Sequence, residues 1–352
     1  MIGQFQGQTP ATQAYGVATT RIARGKRKHR SKMQATRTRL TPIAISRPVA
    51  PPRSLWRDAL RHLLRNHSAQ IGLFILSVLL LVAIFAPVIA THDPIEFRDP
   101  NNLRRTPPCI HLLGCPQNQP EHIFGLDSNG RDLFSRVVYA TRVSLFIGVA
   151  TITFAIVVGT LLGAVSGYLG GWVDNIIMRF MDVLLAFPSL LLAIALVAVL
   201  RQLILAGLSP LLPALFAIGI VAIPVYARIV RSSVLSIKEQ DYVLADRAIG
   251  VPESRILFHT VLPNALTPLI VQGTLGIATA ILDAAALGFL GLGQPPPYPE
   301  WGRMLSDERS SVVNAPYLLI FPGAAIAITV LAFNLLGDGL RDALDPRLNR
   351  QV

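Results

Sequence analysis

The sequence predicts an all-α polytopic membrane protein with six spanning helices, and three observations carry that reading. Apolar residues make up 52% of the 352-residue chain, charged residues only 15%, and the mean hydropathy is +0.50. This composition lies outside the range of soluble domains. Residues 71–90 hold twenty positions without a charge, enough for a helix rising ~1.5 Å per residue to cross a hydrocarbon core of ~30 Å. Five further apolar stretches follow, at about residues 145–167, 183–200, 208–230, 265–292 and 317–336.

Six spans put both ends on one side of the membrane, and Lys and Arg indicate which, because cytoplasmic flanks carry their excess. Fourteen of the 32 precede the first span and one lies between spans two and three. Five run from the last turn of span four to span five, and three follow the last span. That sets 23 on one side against nine on the other. The chain is therefore expected in a cell membrane with both termini, and the segment 232–263, in the cytoplasm.

Residues 1–70 carry fourteen Lys or Arg against one acid, Asp58, which accounts for the whole formal charge of +12. The charge describes a disordered basic cytoplasmic tail that touches anionic membrane lipid, not a nucleic-acid-binding fold. Acid-poor, Arg-rich leaders also serve as targeting segments, and Met33 offers an alternative start. N-terminal sequencing separates these readings. Past the first span comes an external loop, residues 91–144, then a five-helix core at 145–339 and a short cytoplasmic C-terminal tail at 340–352.

The external loop holds both cysteines. Cys109 and Cys115, six residues apart among Pro107, Pro108, Gly114 and Pro116, are placed to close a small disulfide loop in an oxidising compartment. A metal site there would need more ligands than the nearby His111 and His122. From Arg131 the loop turns helical: Leu133, Phe134, Val137, Val138 and Leu145 share one broad face while Arg131, Arg136 and Arg142 recur on another. That pattern predicts an amphipathic helix lying at the outer surface and feeding span two.

Within the spans, Gly159, Gly163 and Gly167 recur every four residues and admit a close neighbouring helix, read as packing within the chain. Pro188, Pro224, Pro268 and Pro322 should bend their helices. An intramembrane ionisable group is expensive and points to function. Asp283 is the candidate, although a place near the outer surface would keep it hydrated. Gln272, Thr274, Thr279 and Asn334 are further candidates for a polar translocation path.

The most informative segment is the polar island 232–263, with DYVLADRAIGVPESRILFHTVLPNA at its centre. Residues 236–249 read as a helix on which Tyr242, Ala245 and Ile249 align, with Ala248 beside them. Gly250 then supplies a left-handed cap, and Pro252 suits the first turn of a second helix running to about His259 and ending before Pro263. A helix, glycine turn, helix unit in a membrane protein suggests docking on a soluble partner.

This spacing resembles the Glu-Ala-Ala loop of ABC-importer permeases, in which a glycine lies four residues after the last alanine and a Leu-Pro thirteen residues later. Gly250 and Leu262-Pro263 hold that register. Leu244 stands at the glutamate of the pattern, Asp246 at its second alanine and Thr260 at its isoleucine, while Ala245 keeps the first alanine. Three other segments resemble the dipeptide, oligopeptide and nickel branch: HIFGLDSNGRDLFSRVVYATRVSL, GYLGGWVDNIIMRFMDVLLAFPSLLLAIALVAVL, and GFLGLGQPPPYPEWGRML followed by NLLGDGLRDALDPRL. Leu126 replaces a usual threonine and Ala140 a usual glycine, and Asp283 sits one residue before the position, Ala284, where the family tends to place a glutamate.

The resemblance implies a type I importer permease fold of the methionine-permease kind and a subunit that pairs with a second permease, two ATPase subunits and an extracytoplasmic binding protein. Peptide import is the implied activity, with nickel, glutathione-like compounds or oligosaccharides as alternatives. It further implies a coupling role for Tyr242, Ala245, Asp246, Ala248, Gly250, Leu262 and Pro263. ATP and Mg would bind to the partner subunits and no cofactor to this chain. In agreement, of four lysines only Lys26 follows a glycine, and Arg27 comes next, so no phosphate-cradling Gly-x-x-x-x-Gly-Lys-Ser/Thr loop is present. A membrane-embedded enzyme would need a nucleophile with its base or metal ligands at depth, and the spans hold no histidine, cysteine or paired carboxylates. An ion-coupled secondary transporter would show inverted repeats and midplane charges.

Overall fold

The computed structural model describes residues 63–96, 104–117, 121–203, 209 and 211–344. The chain divides into units Met1–Pro51 and Pro52–Val352, and every described residue belongs to the second. The expectations for the basic tail through residue 62, and for the end of the C-terminal tail, lie outside the described residues.

Helix α1, His67–Ile84, begins where Asn66 accepts hydrogen bonds from the N–H groups of Ser68 and Ala69 at 2.9 and 3.3 Å. That cap starts the helix four residues before the apolar run does. The Asn66 amide also donates to Asp342 at 3.1 Å, tying the start of α1 to the end of the last helix. The expected span 71–90 is interrupted at Phe85, and a short turn, Ala86–Ile89, follows with Pro87 in its first turn. Much of α1 exposes Phe74, Leu80 and Ile84, a surface suited to lipid.

Helix α2, Leu133–Leu169, runs 37 residues, or ~55 Å at ~1.5 Å per residue. It corrects the expectation of an amphipathic surface helix before span two. Residues 133–144 are the first turns of α2, and both faces are largely covered: Leu133, Val137 and Val138 are buried, and so are Arg131 and Arg136, while Arg142 stays exposed. The two buried arginines are enclosed because carboxylates meet them, Asp127 from the adjoining turn and Asp307 from a distant segment. Arg131 Nε lies 2.7 Å from Asp127 Oδ2, Arg136 Nε lies 3.5 Å from the same oxygen, and Asp307 approaches Arg131 at 4.0 Å. Arg136 also donates to the carbonyls of Pro94 and Pro297 at 2.8 and 3.2 Å. Breaking such a buried cluster by removing one partner costs ~3–5 kcal/mol.

Helices α3, Gly171–Ala186, and α4, Ser189–Leu203, are bent by 100° at Phe187 and Pro188. The expected span 183–200 straddles this bend and is not one straight helix. Phe187 precedes a proline and is extended at φ −91°, ψ 143°, the conformation that steric clash with the proline ring favours. Helix α5, Leu211–Ile237, carries Pro224 inside it and packs along α2. The α2 glycines face this seam: a Cβ on Gly159 would lie 2.7 Å from Tyr226 Cβ, one on Gly163 would strike the Ala227 carbonyl, and one on Gly167 would lie 2.9 Å from the Arg231 carbonyl.

Helices α6, Asp241–Ala248, and α7, Glu253–Arg255, form the island and lead into α8, Thr267–Phe289. Helix α9, Trp301–Asp307, packs between α8 and α10, Tyr317–Leu344. The Trp301 indole donates to the Val137 carbonyl at 3.1 Å. Glu300, buried, fits beside Gly288 and Gly293, where a Cβ would collide with its carboxylate, and takes a hydrogen bond from Gln294 N–H at 3.2 Å. Burial pushes this carboxyl up to about 7 against the opposing pull of the Gln294 and Gly302 N–H groups and of Arg303. Five helices, α1, α2, α5, α8 and α10, are long and apolar enough to cross a membrane, and the bent pair α3 and α4 raises the count to six among the described residues.

Candidate functional site

The island folds as a helical hairpin at one end of α2. Helix α5 stops at Ile237, and the chain turns through Lys238 and Glu239 to Gln240, extended at φ −76°, ψ 146°. The expected helix 236–249 is therefore two elements, with α6 starting afresh at Asp241, whose carboxylate in the first turn complements the helix dipole. Helix α6 ends in the two bonds of a Schellman cap: Gly250 N–H donates to the Arg247 carbonyl and Val251 N–H to the Asp246 carbonyl, each at 3.0 Å. Gly250 sits at φ +82° with open space around it. Backbone sterics, not crowding, select glycine here.

The second arm also differs from expectation. It does not end before Pro263, since a turn of α-helix, Glu253–Arg255, passes into a π turn, Ile256–Val261, and then into Leu262–Ala265. Proline lacks the N–H that the preceding turn would use. The wider π turn just before Pro263 lets the chain remain helical through it.

Three apolar side chains, Val243, Ile256 and Val261, bury themselves completely and hold the hairpin to the core. Tyr242, Ala245, Ala248 and Ile249 do share a face, and that face is exposed, Tyr242 at 46% and Ile249 at 78%. Leu244 and Phe258 are exposed beside them. Asp246 is half-buried and accepts a hydrogen bond from Thr260 at 2.9 Å, joining the two arms. Leu262 is half-buried and Pro263 exposed.

Two residues that the sequence reading did not single out fix the hairpin against α2. The hydroxyl of Tyr168, the next-to-last residue of α2, hydrogen-bonds the Glu253 carboxylate, and Arg247 Nε reaches the same carboxylate at 3.2 Å. The Tyr168 bond, aided by the Arg247 charge, holds the Glu253 carboxyl below its ordinary range. The legible signal was the acid directly after Pro252, in the first turn of a helix. Nearby, Asp174 of α3 takes bonds from Ser166 and Arg231 at 2.5 Å, and Lys238 donates to the Gly167 carbonyl at 3.1 Å.

The path candidates divide between two helices. Gln272, Thr279 and Asp283 are spaced seven and eleven residues from the first, which places them within ~40° of one line on α8 at ~100° per residue. Gln272 lines a cleft of about 480 Å³ with Thr267, Val271, Leu275, Arg341 and Leu344. Thr279 is exposed and bonds the Gly276 carbonyl at 2.8 Å, and Asp283 is partly buried. Thr274, with its hydroxyl on the Ile270 carbonyl at 2.9 Å, lies off that line, and Asn334 is exposed on α10. At the other end of α2, Cys109 and Cys115 form a disulfide with Cα atoms 5.4 Å apart.

A bundle of apolar helices with a helical hairpin between its fourth and fifth spans is the build of an ABC-importer permease. Two family models match: residues 159–350 fit the binding-protein-dependent transport system inner membrane component, and residues 54–108 fit the N-terminal transmembrane domain of oligopeptide transport permease C. The chain belongs to this family of inner membrane transport components. It is 46% identical over 314 residues to the dipeptide transport system permease protein DppC of Alkalihalophilus pseudofirmus, an alignment covering 87% of this chain and 97% of that one. It is 43% identical over 308 residues to the glutathione transport system permease protein GsiD of Pectobacterium atrosepticum, covering 87% and 95%. Among solved structures, the inward-facing MetNI methionine ABC transporter matches with a TM-score of 0.50 at 20% identity, over 60% of this chain and 96% of that one. This last likeness establishes the fold.

Proposed function

We propose that this chain is one half of the membrane path of an ATP-driven importer of short peptides. It pairs with a second, similar permease, presents the hairpin 241–265 to one of two cytoplasmic ATPase subunits, and receives substrate from an extracytoplasmic binding protein. The exposed apolar face of α6 is the observation that carries this reading. Tyr242, Ala245, Ala248 and Ile249 project from a hairpin whose inward side is already satisfied by Val243, Ile256 and Val261, and such a face on an ordered polar connection needs a partner. The Lys and Arg distribution supports a cytoplasmic position for that face.

ATP and Mg belong to the partner subunits, and this chain lacks the phosphate loop to bind them. Closure of the ATPase dimer pulls the hairpin, and α5 and α8, which flank it, transmit the movement as rigid helices. The polar line of Gln272, Thr279 and Asp283 then faces the paired permease across the path. The names of the dipeptide and glutathione relatives support a substrate of two or three residues. ATP-dependent accumulation of a labelled dipeptide tests this, in proteoliposomes holding the assembled complex with its binding protein. Uptake that is indifferent to ATP would refute the importer reading, and uptake of glutathione alone would reassign the substrate.

A further inference from the structure

Among the described residues, His92, His122 and Asp132 each offer a donor atom within 4.8 Å of the other two. They come from three separate segments at the end of α2 opposite the hairpin: His92 follows α1, His122 lies beyond the disulfide, and Asp132 caps α2. His122 Nδ1 stands 2.9 Å from Asp132 Oδ1, and His92 Nδ1 stands 3.8 Å from the same oxygen. The two imidazole centroids are 5.0 Å apart. We propose that these two histidines and one aspartate form a binding site for a divalent cation of the zinc class.

The geometry is close to what such an ion requires. Zinc bonds of ~2.0–2.1 Å in a tetrahedral arrangement put adjacent donors ~3.3 Å apart. The observed 2.9 and 3.8 Å to Asp132 bracket that spacing, and with all three donors within 4.8 Å of one another the two imidazoles have to draw together around the ion. Two imidazoles and one carboxylate suit zinc or a neighbouring transition ion, whereas calcium or magnesium would call for more oxygen donors.

Each ligand is positioned by its neighbours, Asp132 through its second carboxylate oxygen and the two histidines through their backbone. Asp132 commits Oδ2 to Ser135 N–H at 2.8 Å, leaving Oδ1 toward the imidazoles. The His92 backbone N–H donates to Ser135 Oγ at 3.0 Å. His122 is pinned to Cys109 by two backbone bonds of 2.9 Å, and Cys109 is in turn held by Cys115. His122 and Asp132 are buried, while the His92 side chain is 19% exposed, so the cluster reaches solvent on the His92 side. Thr91 Oγ1 lies 2.9 Å from His92 Nδ1, so its hydroxyl has to release that nitrogen as the cation enters. His111 faces Glu121 at 3.9 Å and belongs to a different pair. The bound ion would join the end of the first span, the disulfide loop and the start of α2.

The test uses the full chain purified in detergent without a histidine tag, stripped with EDTA and dialysed against zinc. One equivalent of zinc should remain bound, cobalt(II) should give the visible absorption of a low-coordinate site, and zinc should raise the midpoint of thermal unfolding. His92→Gln should weaken zinc binding by at least the roughly 10–100-fold that loss of an outer-shell partner costs, and should unfold at the wild-type midpoint in EDTA. Absence of stoichiometric zinc on the wild type, or equal affinity in His92→Gln, would overturn the proposal and leave a hydrogen-bonded histidine–aspartate pair. If the variant does not fold, the wild-type zinc stoichiometry and melting shift decide alone. Neither measurement involves transport, so failure here leaves the importer reading untouched.

Discussion

The Thr260 hydroxyl donates to the Asp246 carboxylate at 2.9 Å, linking the two arms of the hairpin. These are two of the positions at which this chain departs from the Glu-Ala-Ala pattern, where alanine and isoleucine would stand. The two departures thus meet in the fold as one polar pair. Asp246→Ala and Thr260→Ile should each cost ~1 kcal/mol by stranding the other group. The double variant should lose less than the sum, with a coupling of about 0.5 kcal/mol or more. Thermal unfolding of the four proteins in detergent measures this, and strictly additive losses would dissolve the pair.

At Gly250 the constraint is the backbone angle of +82°, since no atom crowds the position. Gly250→Leu places a branched side chain in a left-handed conformation at a cost of ~1–2 kcal/mol and should shift the hairpin. Gly250→Asn, which tolerates that conformation better, should retain more function. In the assembled transporter we expect substrate-stimulated ATPase activity to fall in the order Gly, Asn, Leu. Wild-type rates in the leucine variant would remove the coupling role.

The seam between α2 and α5 makes a different demand, because Gly163 faces the Ala227 carbonyl and Val230 Cβ, the latter 2.9 Å from where a Cβ would stand. Backbone cannot retreat as a side chain tip can. Gly163→Ala should cost ~1–3 kcal/mol, and Gly163→Val should abolish recovery of monodisperse protein by size-exclusion chromatography. Gly323, which has open space around it, provides the control: Gly323→Ala should elute as wild type does.

Glu300 predicts a pH dependence. Its folded pKa of about 7 is above the ordinary 4.5, so the folded state binds the proton more tightly and this group's contribution is present at low pH. Between about 4.5 and 7 the contribution is lost as pH rises, by at most ~1.4 kcal/mol per unit. Melting midpoints across this window should decline for wild type and decline less for Glu300→Gln. Equal slopes would show that the carboxyl does not titrate there.

The sequence by itself determined the fold class, the membrane reading and the register of the hairpin. Charge-free stretches of membrane length have few alternatives to helices, and Gly250 answers a local steric rule. The α2 glycines, legible as a packing stripe, met α5 within the same chain. Other features were settled only when the chain folded and its segments met. Arg131 and Arg136 look like a solvated helix face until Asp127 and Asp307 enclose them. Pro188 signalled a bend in the sequence and the helix does bend there, although hydropathy alone does not register its 100° angle. Tyr242 and Ile249 share a helix face on which periodicity cannot distinguish inward from outward. Only tertiary packing, which buried Val243 and left them exposed, decided that. His92, His122 and Asp132 were likewise too scattered to suggest a site. Periodicity reports the shape of an element, whereas the folded chain decides which charges and faces find partners.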